Sequence, residues 1–87
     1  VRVTWQAGDA DYTNHHQRNI PKKPVPWWGS VTVLSQEGET HRASWSSKGK
    51  KMLFTQATAT IMTLAGELCD EYPEDMPLNI SFELNSR

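Results

Sequence analysis

The residues best placed to do chemistry are a basic run, Ser46-Ser47-Lys48-Gly49-Lys50-Lys51, directly ahead of a helical pattern. Free N–H groups at a helix N-terminus attract anions, and lysines add point charges beside them. Gly49 would let a ligand come close to the backbone. The chemistry implied is contact with phosphate or a nucleic-acid backbone, through Lys22, Lys23, Arg42, Lys48, Lys50 and Lys51. The spacing is not that of a phosphate-binding P-loop, which requires two glycines with four residues between them followed by Lys-Ser/Thr.

A second candidate is Pro21-Lys22-Lys23-Pro24-Val25-Pro26-Trp27-Trp28-Gly29, a stiff cationic arm leading into two adjacent tryptophans. Neighbouring residues of a strand point to opposite faces. One of Trp27 and Trp28 is therefore expected to pack inward. The other could anchor a protein partner, as tryptophan does at binding hot spots, or stack a nucleic-acid base. The acidic residues Asp70, Glu71, Glu74 and Asp75 complete a candidate protein-docking set with the tryptophans.

Catalytic and metal constellations are weak by comparison. The chain has one cysteine, Cys69, and three histidines, His15, His16 and His41. No local motif joins a nucleophile to a base, and a domain this small is poorly suited to a deep pocket. Zinc sites pair His or Cys at short defined spacings, which these residues lack. The expectation is a protein that is not an enzyme and has no cofactor and no metal.

Charge is divided along the chain. Residues 18–51 carry seven Lys/Arg against Glu37 and Glu39, a net of +5, while residues 67–87 carry six acids against Arg87, a net of −5. The formal total is only −1. On the expected helix, lysines stand at the start and acids at the end, the reverse of what the helix dipole favours. Folding does not select that layout, so a partner is the expected reason for it.

The elements that must position these residues follow from periodicity. Val1, Val3 and Trp5 alternate with polar residues as in a half-buried strand. Residues 8–26 read as a long irregular loop rich in Pro and His, with 20–26 extended and polyproline-like. Ser30–Gln36 and Thr40–Ser46 form a hairpin around Glu37-Gly38-Glu39, with His41, Ala43 and Trp45 sharing one face. Lys50–Glu71 is the helix, its apolar stripe running through Phe54, Ala57, Ile61, Leu64 and Leu68, with Ser46 or Ser47 as its cap. Its four threonines lower helix propensity. Leu78, Ile80, Phe82 and Leu84 alternate with polar residues in a last strand. The order is β-loop-β-β-α-β, giving a single α+β domain over residues 1–87: a mainly antiparallel four-stranded sheet with one amphipathic helix on one face.

The run Ser46–Lys51 after a hairpin and before an Ala/Leu-containing helix is similar, over about 25 residues, to the end of a double-stranded RNA-binding domain, where lysines at a helix start touch phosphates. The element order departs from that family, with no leading helix, too few strands before this helix, and a strand after it. The resemblance is therefore local.

A composition of 37% hydrophobic and 22% charged residues is that of a globular domain. The chain lacks the run of about 18 apolar residues a membrane helix needs, and a lone cysteine fits a reducing compartment, so a cytoplasmic location and no membrane partner are expected. The function expected first is a protein-binding module, a small inhibitor or regulator of a larger complex, docking through tryptophan and opposed charge patches. The alternative is a nucleic-acid-binding domain using the basic arm and the helix N-terminus. Attraction between the two charge blocks of different copies would make a homo-oligomer.

Overall fold

The computed structural model describes residues 1–8, 20–71 and 77–87. Its elements are β1 (Arg2–Gln6), β2 (Val25–Leu34), β3 (Thr40–Met52), α1 (Phe54–Glu71) and β4 (Asn79–Asn85). The strands form one antiparallel sheet in the order β1-β4-β2-β3. This is the α+β architecture expected from the alternating and helical patterns, with the expected element order.

Residues directly opposite one another across antiparallel strands share a face. Two apolar rows consequently cross all four strands: Val3, Leu84, Gly29 and Trp45, then Trp5, Phe82, Val31 and Ala43. Phe54, Ala57, Ile61, Ala65 and Leu68 of α1 join the strand residues in one buried cluster. Trp5 stacks on Phe82 at 5.0 Å between ring centroids, and Trp27 tilts against Phe54 at 5.4 Å. These aromatics supply much of the buried area a chain of this size needs. Gly29 sits where β2 and β4 come close, because a Cβ there would overlap the Glu83 carbonyl oxygen.

The hairpin forms as expected. Gly38 adopts φ +88° in the turn, and the Ser35 hydroxyl accepts a hydrogen bond from the Glu39 N–H at 3.1 Å. Both strands are longer than their alternation suggested. Val25 and Pro26 pair with Met52 and Lys51, so the segment expected to be polyproline-like already belongs to the sheet at its end. Pro26 is tolerated because β4 reaches only as far as Trp28. One flank of β2 is open there, and the missing N–H breaks no ladder.

The helix starts later than expected. Ser46–Lys51 belongs to β3, so this run of six residues is not a helix N-terminus. Pro26 pairs with Lys51 and Trp28 with Ser46, leaving Ser47–Lys50 bulged out opposite Trp27 alone. The bulge turns through left-handed backbone at Lys48 (φ 54°) and Gly49 (φ 84°). Ser47 does not cap a helix; its hydroxyl accepts from the Trp27 N–H at 3.0 Å. Ser46 accepts from the Lys48 N–H at 3.0 Å. The true cap is at Leu53, whose N–H donates to Gln56 Oε1 at 2.9 Å and whose carbonyl accepts from the Ala57 N–H at 3.0 Å. That is the returning half of a capping box. The threonines are reconciled with the helix by back-bonding: Thr58, Thr60 and Thr63 donate to the carbonyls of Thr55, Gln56 and Ala59.

The later start of α1 removes half of the opposition between charge and helix dipole. The first turn of α1 holds no acidic residue and the last holds no basic one. The lysines lie before the helix, and only Asp70 and Glu71 oppose the dipole, at a cost of about 0.3–1 kcal/mol each. Among the described residues, no helix is long and apolar enough to cross a membrane.

Candidate functional site

The face of the sheet away from α1 is polar and carries the exposed tryptophan. Three rows cross it: Arg2, Asn85, Trp28 and Ser46; then Thr4, Glu83, Ser30 and Ser44; then Gln6, Ser81, Thr32 and Arg42. The alternation that buries Val3, Phe82 and Val31 on one side delivers these residues to the other.

Trp27 and Trp28 separate as a strand requires. Trp27 is 1% exposed and Trp28 is 42% exposed. The Trp27 indole donates to the Met52 carbonyl at 3.0 Å, so its polar atom is satisfied within the core. Trp27 is thereby removed from the candidate docking residues, and Trp28 alone reaches the surface.

Cations gather around Trp28. Lys51, opposite Pro26, is two positions from Trp28 in register and on the same face. Lys48, Gly49 and Lys50 are exposed on the adjoining bulge. A crevice beside Trp28 is lined by Pro26, Ser46, Ser47, Gly49 and Arg87. Lys22 and Lys23, both exposed, immediately precede β2 at this end of the sheet. Arg42 lies farther along, its guanidinium Nη2 donating to Ser30 Oγ at 3.3 Å. All six basic candidates are described and exposed. The bulge and the strand ends, rather than a helix start, gather the five lysines, and Arg42 stands apart from them on the sheet face.

The acids are placed elsewhere. Glu37 and Glu39 occupy the hairpin turn at the far end of β2 and β3. Asp70 and Glu71 are exposed in the last turn of α1, about 25 Å along its axis from the basic end where it begins. They also belong to the helix layer, whereas Trp28 belongs to the opposite face. Glu74 and Asp75 lie outside the described residues, as do His15, His16, Asp9 and Asp11.

One acid does stand on the open face, and the sequence reading did not single it out. Glu83 accepts from Arg2 Nε at 2.7 Å through Oε1, and the Arg2 guanidinium also closes an ion pair on that oxygen. Among the described residues, its other oxygen receives only a long hydrogen bond from Asn85 Nδ2, at 3.4 Å. Trp28, Ser30, Arg42, Glu83 and Asn85 line a common shallow depression. The signal that could have found Glu83 and Asn85 was the polar half of the alternation in 79–85, which places Ser81, Glu83 and Asn85 beside whatever β2 exposes.

His41 and Cys69 are half-buried. His41 Nε2 lies 3.8 Å from Glu39 Oε2, and Cys69 packs against the core. The two are not joined in any constellation among the described residues. No protein-family model matches the chain, and neither does any curated protein or any solved structure.

Proposed function

We propose that the protein is a binding module whose open sheet face holds single-stranded nucleic acid. The observation that carries this reading is the setting of Trp28: an exposed indole on a polar sheet face, with Lys51 and the Lys48–Lys50 bulge on one side and Arg42 on the other. An aromatic platform flanked by cations is the physical requirement for sequence-tolerant single-strand binding. Each stacked base contributes about 1–3 kcal/mol, and basic groups track the backbone. Stacking on a flat sheet needs an unpaired base, so a duplex fits this face poorly. The sequence pI of 6.3 is not an obstacle, because Asp70 and Glu71 sit in the other layer and Glu83 is paired with Arg2.

The test is fluorescence anisotropy with labelled oligothymidine and oligouridine of about ten nucleotides, enough to cross one such face. The wild type should bind at low salt, and W28A should weaken binding at least tenfold. Absence of binding to both oligonucleotides would overturn the reading.

A second reading, docking to a basic protein partner, is favoured by Asp70 and Glu71 at a helix end where the dipole disfavours them. Reversing both charges should abolish partner capture while leaving oligonucleotide binding intact. Unchanged capture would count against it.

A further inference from the structure

The depression beside Trp28 has a polar pattern more specific than general strand binding requires. Trp28 provides its stacking wall. On one side stands Arg42, whose hydrogen bond among the described residues goes to Ser30 Oγ, leaving further guanidinium N–H groups free to donate. On the other side stands the Glu83 carboxylate. Arg2 holds it from β1 through Oε1, while among the described residues Oε2 carries only the long contact from Asn85. The cross-strand diagonal from Trp28 to Glu83 is of the length aromatic and long side chains span. Ser30, directly opposite Glu83, is small and leaves the space between them open.

Resting on the single-strand reading, we infer that this depression reads a base, and that Arg42 and Glu83 together select guanine. The pairing edge of guanine presents one acceptor, O6, followed by two donors, N1–H and the N2 amino group. A guanidinium donor beside the Glu83 Oε2, whose lone pairs can accept from two adjacent donors while Arg2 holds Oε1, is the complementary set. The other bases do not match it. Adenine and cytosine each turn a ring nitrogen acceptor toward the carboxylate, whereas uracil and thymine offer it one donor, N3–H, and set the O2 carbonyl where guanine has its amino group. An acceptor facing a carboxylate leaves both without a donor, which is the arrangement that discriminates most strongly between ligands. Trp28 and the lysines supply the affinity common to all bases; Glu83 supplies the difference between them.

The experiment is anisotropy at low salt on the full chain, using oligothymidine with its central base replaced in turn by guanine, adenine, cytosine and hypoxanthine. Guanine should bind roughly tenfold more tightly than the others, the scale of one bidentate base contact. Hypoxanthine lacks the N2 amino group and should lose most of that gain. E83Q should abolish the guanine preference, so that guanine- and adenine-substituted strands bind that variant alike. The base series on the wild type is decisive even if E83Q folds poorly without its partner for Arg2. Equal binding of all four bases, with oligothymidine still bound, overturns guanine selection and leaves the single-strand reading standing. Failure to bind any oligonucleotide overturns both.

Discussion

Trp27 and Trp28 are neighbours in sequence and stand on opposite faces of β2, the first 1% exposed against Phe54 and the second 42% exposed on the open sheet face. Their substitutions should therefore separate stability from binding. Trp27→Ala removes a buried indole and its hydrogen bond to Met52, and should cost about 3–5 kcal/mol, which for so small a domain approaches its whole stability. Trp28→Ala should cost less than about 1 kcal/mol while reducing oligonucleotide affinity. Chemical denaturation and anisotropy on the same two variants check this; equal destabilisation would mean that Trp28 is part of the core.

Gly29→Ala is expected to be severe for a different reason. The added methyl would meet the Glu83 carbonyl oxygen and the Leu84 Cα, both backbone atoms of the neighbouring strand, which cannot rotate away. Separating β2 from β4 should cost about 2–3 kcal/mol, read as a lower denaturation midpoint. A neutral substitution would show that the two strands part easily at this point, and that the face they build is softer than its register implies.

Much of the fold could be read from the sequence because its strands are half-buried. Val3 and Trp5, and Phe82 and Leu84, alternate cleanly with polar neighbours, and the stripe from Phe54 to Leu68 has one period throughout. The basic run was misplaced because local pattern contains no record of bulges. Ser47–Lys50 breaks the alternation of β3 and resembles a capped helix start in composition, yet it is held by Trp27, twenty residues earlier in the chain. Lys48 also takes up left-handed backbone, which side chains other than glycine disfavour. The site was half-legible for a related reason. Alternation shows that Trp28 and Glu83 each point away from the core. That they share one depression depends on the order β1-β4-β2-β3, which periodicity does not encode.

The cap of α1 offers a stabilising substitution. Leu53 is an unfavourable residue at that position and remains 38% exposed, while Gln56 already returns a hydrogen bond to its N–H. Leu53→Ser would complete the capping box by accepting from the Gln56 N–H. A gain of about 0.5–1 kcal/mol is expected, visible as a higher midpoint with an unchanged slope in a denaturant titration. A loss would mean that the exposed Leu53 side chain contributes more by packing than a serine cap can restore.

The salt dependence of binding tests whether the bulge and strand ends act as one cationic surface. Lys22, Lys23, Lys48, Lys50 and Lys51 are all exposed near the same end of the sheet. If all five neutralise phosphates, counterion release from a single strand predicts a log–log slope of about −3.5. Reversing charge at Lys48, Lys50 and Lys51 together should weaken binding at low salt and make the slope shallower by roughly 2. The same reversal should leave stability nearly unchanged, since none of the three makes an ion pair among the described residues and surface substitutions of this kind shift stability by only about 0.5 kcal/mol. W28A should do the opposite, lowering affinity at every salt concentration without altering the slope, because stacking releases no counterions. A slope unchanged by the triple reversal would show that the lysines are a solvated edge and that any oligonucleotide bound lies elsewhere.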